Sequence, residues 1–165
     1  LTEAFKSLST NKKAHLFVIG SDEEQLSPLF NGVDNIHFLG FKTNVADFYS
    51  FADVLCLPSH REGFGNVIIE AAACKLPALA SNIYGLSDAV EDGYSGILHA
   101  VTDTNAIKNA MSQFIENDID LAQMKINAHS RVVHYFAEPI LVSAFLDFYN
   151  RIGISNNIHS DNTCN

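Results

Sequence analysis

Apolar residues in this chain come in two rhythms. Short continuous runs at His15–Gly20 (HLFVIG), Ile36–Leu39, Val54–Leu57, Ala78–Ser81 and Gly96–Leu98 are too brief for helices and read as buried strands. Between them the spacing is helical, over Leu1–Leu8, Glu23–Phe30, Val45–Phe51, Asn66–Lys75, Gly85–Val90 and Asn105–Glu116. Strands alternating with helices predict an α/β fold, a doubly wound parallel sheet with helices on both faces. Pro77 has no amide to continue the fourth helix and ends it before the next strand. Asp103 is placed to cap the long helix that follows it.

The last third turns helical. From Glu138 to Ile152 the apolar residues Ile140, Leu141, Ala144, Phe145, Phe148, Tyr149 and Ile152 fall on one stripe. For most of them a face turned to the core of this same domain is the expectation. Residues 1–154 read as one domain and 155–165 (SNNIHSDNTCN) as a polar tail. The chain opens on a helix pattern, LTEAFKSL, where a doubly wound sheet usually opens on a strand. An upstream part is therefore expected.

Composition narrows the functional classes. At 165 residues, 47% hydrophobic and 18% charged, the chain can bury a sizeable core and is not a disordered segment. Its net charge is −9 and it has no run of Lys or Arg, which argues against nucleic acid as a partner. Cys56 and Cys74 lie in apolar runs, Cys164 in the tail, and the three make no metal-ligand spacing, so free thiols in a reducing compartment are expected. His15 and His37 flank apolar runs and read as packing residues rather than ligands. Neither a signal peptide nor an apolar stretch of membrane length is visible, and a cytoplasmic location follows as an expectation.

The chemistry concentrates in Ala52–Ala73, ADVLCLPSHREGFGNVIIEAAA. A strand runs into a Pro-Ser break, a glycine-containing loop and then a helix. Ligands of open α/β sheets bind beyond the carboxyl ends of strands, where such loops sit. Gly63 and Gly65 allow close backbone approach, and the helix that starts at Gly65 or Asn66 offers free amides and a positive dipole end to a diphosphate. Glu70 lies in a helix whose side chains are apolar on nearly every side. Buried there, its carboxylate would need a polar partner, such as the hydroxyls of a ribose. Glu62 precedes it by eight residues, across a loop and about one and a half helical turns, which sets the two carboxylates roughly 10 Å apart. Arg61 is the base beside this loop, and both a solvated and a phosphate-binding role are open to it.

The segment Arg61–Ser81, REGFGNVIIEAAACKLPALAS, resembles the E-x7-E signature of retaining GT-B glycosyltransferases of family 4. FLGF at Phe38–Phe41, FYSFADVLCLPS at Phe48–Ser59 and EDGYSGIL at Glu91–Leu98 match the same family in the same order, so the resemblance runs from about Leu1 to Ile152. It implies a Rossmann-like domain, the C-terminal half of a GT-B fold, which binds a nucleotide sugar. The resemblance puts Glu62 by the sugar hydroxyls and the reacting carbon, and the amides of Gly63, Phe64, Gly65, Asn66 and Val67 on the sugar and diphosphate. It puts Glu70 on the ribose hydroxyls and Leu39, Gly40 and Phe41 beside the base. It implies no metal and no cofactor, since amides and basic side chains stabilise the leaving phosphate.

The basic phosphate clamp and the N-terminal acceptor domain of that family have no counterpart here. The resemblance therefore implies a retaining hexosyltransferase when whole, and a chain inactive in isolation. The wording EGFGNVIIEAAA followed by SNIYGLSDAVEDG is similar to bacterial enzymes of O-antigen, lipopolysaccharide and capsule synthesis, N-acetylgalactosaminyltransferases among them. That implies UDP-GalNAc or a related UDP-sugar as donor and an undecaprenyl-diphosphate-linked glycan as acceptor, at the inner face of the plasma membrane. A last helix that packs on the absent domain would leave its apolar stripe uncovered.

Four other readings compete. A dehydrogenase would show GxGxxG after its first strand, whereas HLFVIG runs into Ser21, Asp22, Glu23 and Glu24. A retaining glycosidase would need its carboxyls about 5–5.5 Å apart. A GT-B epimerase or a non-catalytic nucleotide-binding domain shares the fold, and the motif wording favours a transferase.

Overall fold

The computed structural model describes residues 1–8, 14–22, 25, 27–30, 32–116 and 118–153. Five strands alternate with helices: α1 (Thr2–Leu8), β1 (Leu16–Ile19), β2 (Ile36–Gly40), α2 (Val45–Phe51), β3 (Leu55–Leu57), α3 (Asn66–Ala73), β4 (Ala78–Ser81), α4 (Leu86–Ala89) and β5 (Gly96–His99). Three helices finish the described chain, α5 (Thr104–Glu116), α6 (Leu121–Tyr135) and α7 (Glu138–Arg151). Every strand pairing is parallel. The pairing falls into two ladders, β1–β2 and β3–β4–β5, where the sequence pattern predicts one continuous sheet.

Register decides which side chains meet. Cys56, Leu79 and Ile97 stand opposite one another across β3, β4 and β5. They face a cluster formed by Ala4 and Phe5 of α1, Leu16 of β1, Ile36 of β2 and Ile107, Ala110, Met111 and Phe114 of α5. The neighbouring row, with Ala78 and Ala80, turns to the other face and packs on Ile68 of α3 and Leu86 and Ala89 of α4. This is the period of two expected of strands covered on both sides. The first cluster also spans the break between the ladders, so apolar packing joins what hydrogen bonds do not.

Local signals in the sequence account for most element ends. The Asp103 carboxylate accepts from the Ala106 amide at 2.9 Å and caps α5. At the end of α3, Lys75 takes a positive φ of 62° while the Leu76 amide returns to the Ala71 carbonyl at 2.9 Å, a Schellman close that Pro77 then seals. The helix therefore stops two residues short of the predicted Lys75. Of the helix expected over Glu23–Phe30, the described part is a single 3-10 turn, Ser27–Phe30, while residues 23, 24 and 26 lie outside the described residues. Asp22 holds the Ser27 amide at 3.0 Å, and Pro28 has no amide to offer.

Helix α6 lies in the stretch expected to be helical, for which the sequence pattern set no bounds; its cap is Asp120, which accepts from the Gln123 amide at 3.0 Å, and it packs along α3. Helix α7 was expected to turn most of its stripe inward, yet none of its residues is buried, and Phe145, at 62%, is the most exposed of its large apolar side chains. It packs against α6, which is too narrow a support to cover the stripe. The tail, residues 155–165, lies outside the described residues.

His15 and His37 pack on one another, and Cys56 and Cys74 are free thiols, while Cys164 lies outside the described residues. His15 Nδ1 and His37 Nε2 lie 3.0 Å apart with stacked rings, and Phe17 stacks on His37 in turn. The Cys56 thiol, packed against the first cluster, is pushed up to about 12 by desolvation, with the Leu1 ammonium pulling weakly the other way. A raised thiol pKa favours the fold fully below the unfolded value of about 8.5, and that contribution is lost as pH rises from there toward 12. Accordingly, iodoacetamide at pH 8 should label Cys56 slowly in the native protein and rapidly in guanidinium, as read by mass spectrometry of the peptide. Equal rates in the two states would contradict the assignment.

Candidate functional site: a glycine-lined loop between two helices

The loop after β3 is shaped by contacts on both its flanks. Gly65 takes the left-handed conformation, φ 66° and ψ 47°, and forms the N-cap of α3. Its carbonyl receives the Ile68 amide at 2.8 Å. By helix geometry the preceding amides, those of Asn66 and Val67, have no partner within the helix. Gly85, at φ 88°, leads into α4 and lies so close to the loop that a Cβ there would overlap the Gly63 carbonyl and crowd that of Glu62. The backbone of Glu62 and Gly63 thus rests on the entry to α4.

His60, Arg61, Glu62, Gly63, Phe64, Asn66 and Val67 are all exposed. The Ser59 hydroxyl donates to a Glu62 carboxylate oxygen at 3.1 Å and steadies it against the loop. The result is a run of exposed backbone and one carboxylate at the carboxyl end of β3, over the N-terminus of an eight-residue helix. Such an arrangement takes an anion on the amides and hydroxyl groups on the carboxylate.

Glu70 requires a correction. The sequence reading buried it in a helix apolar all round, but it is exposed, on a stripe with Asn66, Val67 and Ala73. Only Ile68, Ala71 and Ala72 of α3 are buried. Side-chain polarity alone misjudged the face, because α3 leaves apolar Val67 and Ala73 in water. Tyr49, buried in α2, lies close enough to Glu70 for the two side chains to interact. Burial, and after it the Glu70 charge, raise the Tyr49 hydroxyl above its ordinary value of 10. No spacing rule reveals this pair, since 21 positions separate the two residues.

The remaining residues stand apart. Leu39 and Gly40 end β2, and Phe41, 74% exposed, follows it. The Gly20 amide donates to the Gly40 carbonyl at 3.1 Å, which ties the ends of β1 and β2 together. They end the β1–β2 ladder, whereas the loop after β3 belongs to the β3–β4–β5 ladder. Arg61 is exposed.

Comparison with known proteins gives this geometry a family. A family model described as glycosyl transferases group 1 matches residues 1–131. The chain belongs to the group 1 glycosyltransferases. It is 31% identical over 162 residues to the capsular polysaccharide biosynthesis glycosyltransferase CapM of Staphylococcus aureus, covering 91% of this chain and 41% of that protein. It is 24% identical over 143 residues to the N,N'-diacetylbacillosaminyl-diphospho-undecaprenol alpha-1,3-N-acetylgalactosaminyltransferase of Campylobacter jejuni, covering 85% of this chain and 38% of that protein. HepE of Anabaena, solved in complex with UDP-glucose, superimposes with a TM-score of 0.77 at 22% identity over 92% of this chain and 44% of its own. The fold is thus the α/β fold of GT-B glycosyltransferases, with a helical C-terminus. This group 1 domain spans about 40% of the length of the curated relatives it matches.

The contact under Gly85 is directly testable. Gly85→Ala combines a left-handed φ with an overlap against backbone, and should cost about 1–3 kcal/mol of stability in urea unfolding. Its NMR shift changes should extend to Glu62 and Gly63. A variant as stable as the parent would show that the loop does not rest there.

Proposed function

We propose that this chain is the nucleotide-sugar-binding part of a glycosyltransferase, with a UDP-sugar as donor. The observation that carries the reading is the pairing of two features: a glycine-lined loop that opens onto the α3 N-terminus, and Glu70, beside Tyr49 on the exposed stripe of that helix. The outward amides of Gly63–Val67 take the diphosphate and sugar. Glu70 accepts hydrogen bonds from the ribose hydroxyls, and Leu39, Gly40 and Phe41 border the base. Glu62, steadied by Ser59, stands by the sugar hydroxyls and the reacting carbon. Charge that develops on the leaving diphosphate is met by the amides and by basic side chains, so neither a metal nor a cofactor has a part.

The sugar is UDP-GalNAc or a close relative, transferred with retention to a glycan on a lipid diphosphate in O-antigen, lipopolysaccharide or capsule assembly. Similarity to the Campylobacter N-acetylgalactosaminyltransferase and to CapM supports this choice. Transfer takes place at the inner face of a bacterial plasma membrane and involves an acceptor-binding domain of the longer protein; this chain alone transfers nothing. Among the described residues no helix is long and apolar enough to cross a membrane.

Isothermal titration of UDP, GDP and their sugars into the chain tests the reading. UDP and UDP-sugars should bind, and Glu70→Ala should weaken them about tenfold or more, the worth of hydrogen bonds to a charged group. Tyr49→Phe should cost less, since the carboxylate stays. The donor assignment fails if no nucleotide binds the parent chain. Equal binding by Glu70→Ala removes the ribose role, and a preference for GDP removes the uridine.

A further inference from the structure

The loop has a second support, from a part of the chain far from it in sequence. Phe136 closes α6, and its ring meets that of Phe64 edge-on, with centroids 5.5 Å apart and planes at 65°. Phe64 lies between Glu62 and Gly65 and is 40% exposed, so the Phe136 ring covers part of a side chain that otherwise meets water. Five residues before Phe136, Arg131 is locked in place. It donates to the Asp88 carbonyl at 2.8 Å and the Ala89 carbonyl at 3.2 Å, and to the Glu91 carboxylate at 3.0 Å. Its guanidinium lies 5.3 Å from the Tyr135 ring centroid and 6.0 Å from that of Phe136.

These contacts close a circuit. The start of α4 carries Gly85, on which the Glu62 and Gly63 backbone rests. The end of α4 is gripped by Arg131, and the helix that carries Arg131 ends in the residue that holds Phe64. The loop is therefore pinned at two points on one rigid unit. Loss of the Phe136 ring releases one of them while leaving the three apolar clusters of the core, none of which includes Phe136 or Phe64, as they were.

We propose that Phe136 is a positioning residue for the donor loop: through Phe64 it holds the Gly63–Val67 amides where a diphosphate meets them, and Arg131 fixes the α6–α7 junction against α4. The ligand part rests on the donor-site reading above; the positioning part rests on geometry alone. Phe136 touches the loop, not the ligand.

Two measurements on Phe136→Ala test it. In NMR hydrogen exchange the Ile68 amide, bonded to the Gly65 carbonyl at the loop's exit, should exchange about three- to tenfold faster, the worth of one aromatic pair, while the amides of β4 stay at the parent rate. In titrations UDP should bind about three- to tenfold more weakly, and uridine, which lacks the diphosphate, as in the parent. Phe136→Tyr, which keeps the ring, should restore both. Phe64→Ala removes the same contact from the exposed side, so it must reproduce the loop exchange even if Phe136→Ala does not fold. Unchanged loop exchange overturns the proposal, as does a rise shared by β4, which marks a general loss of stability. A parent chain that binds neither UDP nor uridine, with faster loop exchange in the variants, leaves Phe136 its positioning role and removes the donor reading instead.

Discussion

The backbone of β4 is out of water along its whole length, so its peptide groups must be paired, and β3 and β5 are the strands that pair with it. That requirement fixes three parallel strands side by side and places the loops after them on one edge. The side chains of β4 then set the spacing of the layers. Leu79 fills the face toward α5, whereas Ala78 and Ala80, on the other face, are small enough for α3 and α4 to sit close together. The near approach of Gly85 to Gly63 follows from that closeness, and with it the shape of the loop.

Electrostatics around the loop is local, not global. The chain carries a net charge of −9, yet the feature suited to an anion is a set of amides at a helix start, whose partial positive charge belongs to the backbone. An acidic surface and a loop suited to an anion are therefore compatible. The group beside Glu70 is likewise uncharged, the hydroxyl of the buried Tyr49. The two ion pairs of the described residues, Lys125–Asp53 and Arg131–Glu91, instead tie α6 to the segment before β3 and to the segment after α4.

Helix α7 shows a tension between local and tertiary logic. Its apolar stripe is as regular as that of a core helix, yet Ile140, Leu141, Phe145, Phe148 and Tyr149 are exposed. Apolar area of this size in water carries a free-energy cost that the rest of the described chain does not offset. Periodicity registers that a helix has an apolar face; it contains no information on what covers that face.

The sequence by itself determined the alternation of strands and helices, the cap at Asp103, the stop at Pro77 and the stretch in which the chemistry lies, because each depends on residues within a turn or two of one another. It also carried the family, through motifs whose order survives without coordinates. Tertiary structure alone decided what depends on distant pairs: the exposure of Glu70, its nearness to Tyr49, the break between the two ladders, and the support of Phe64 by Phe136. In each case the deciding contact joins residues 20 or more positions apart or none at all, and burial is a property of the neighbours that packing supplies rather than of the side chain itself.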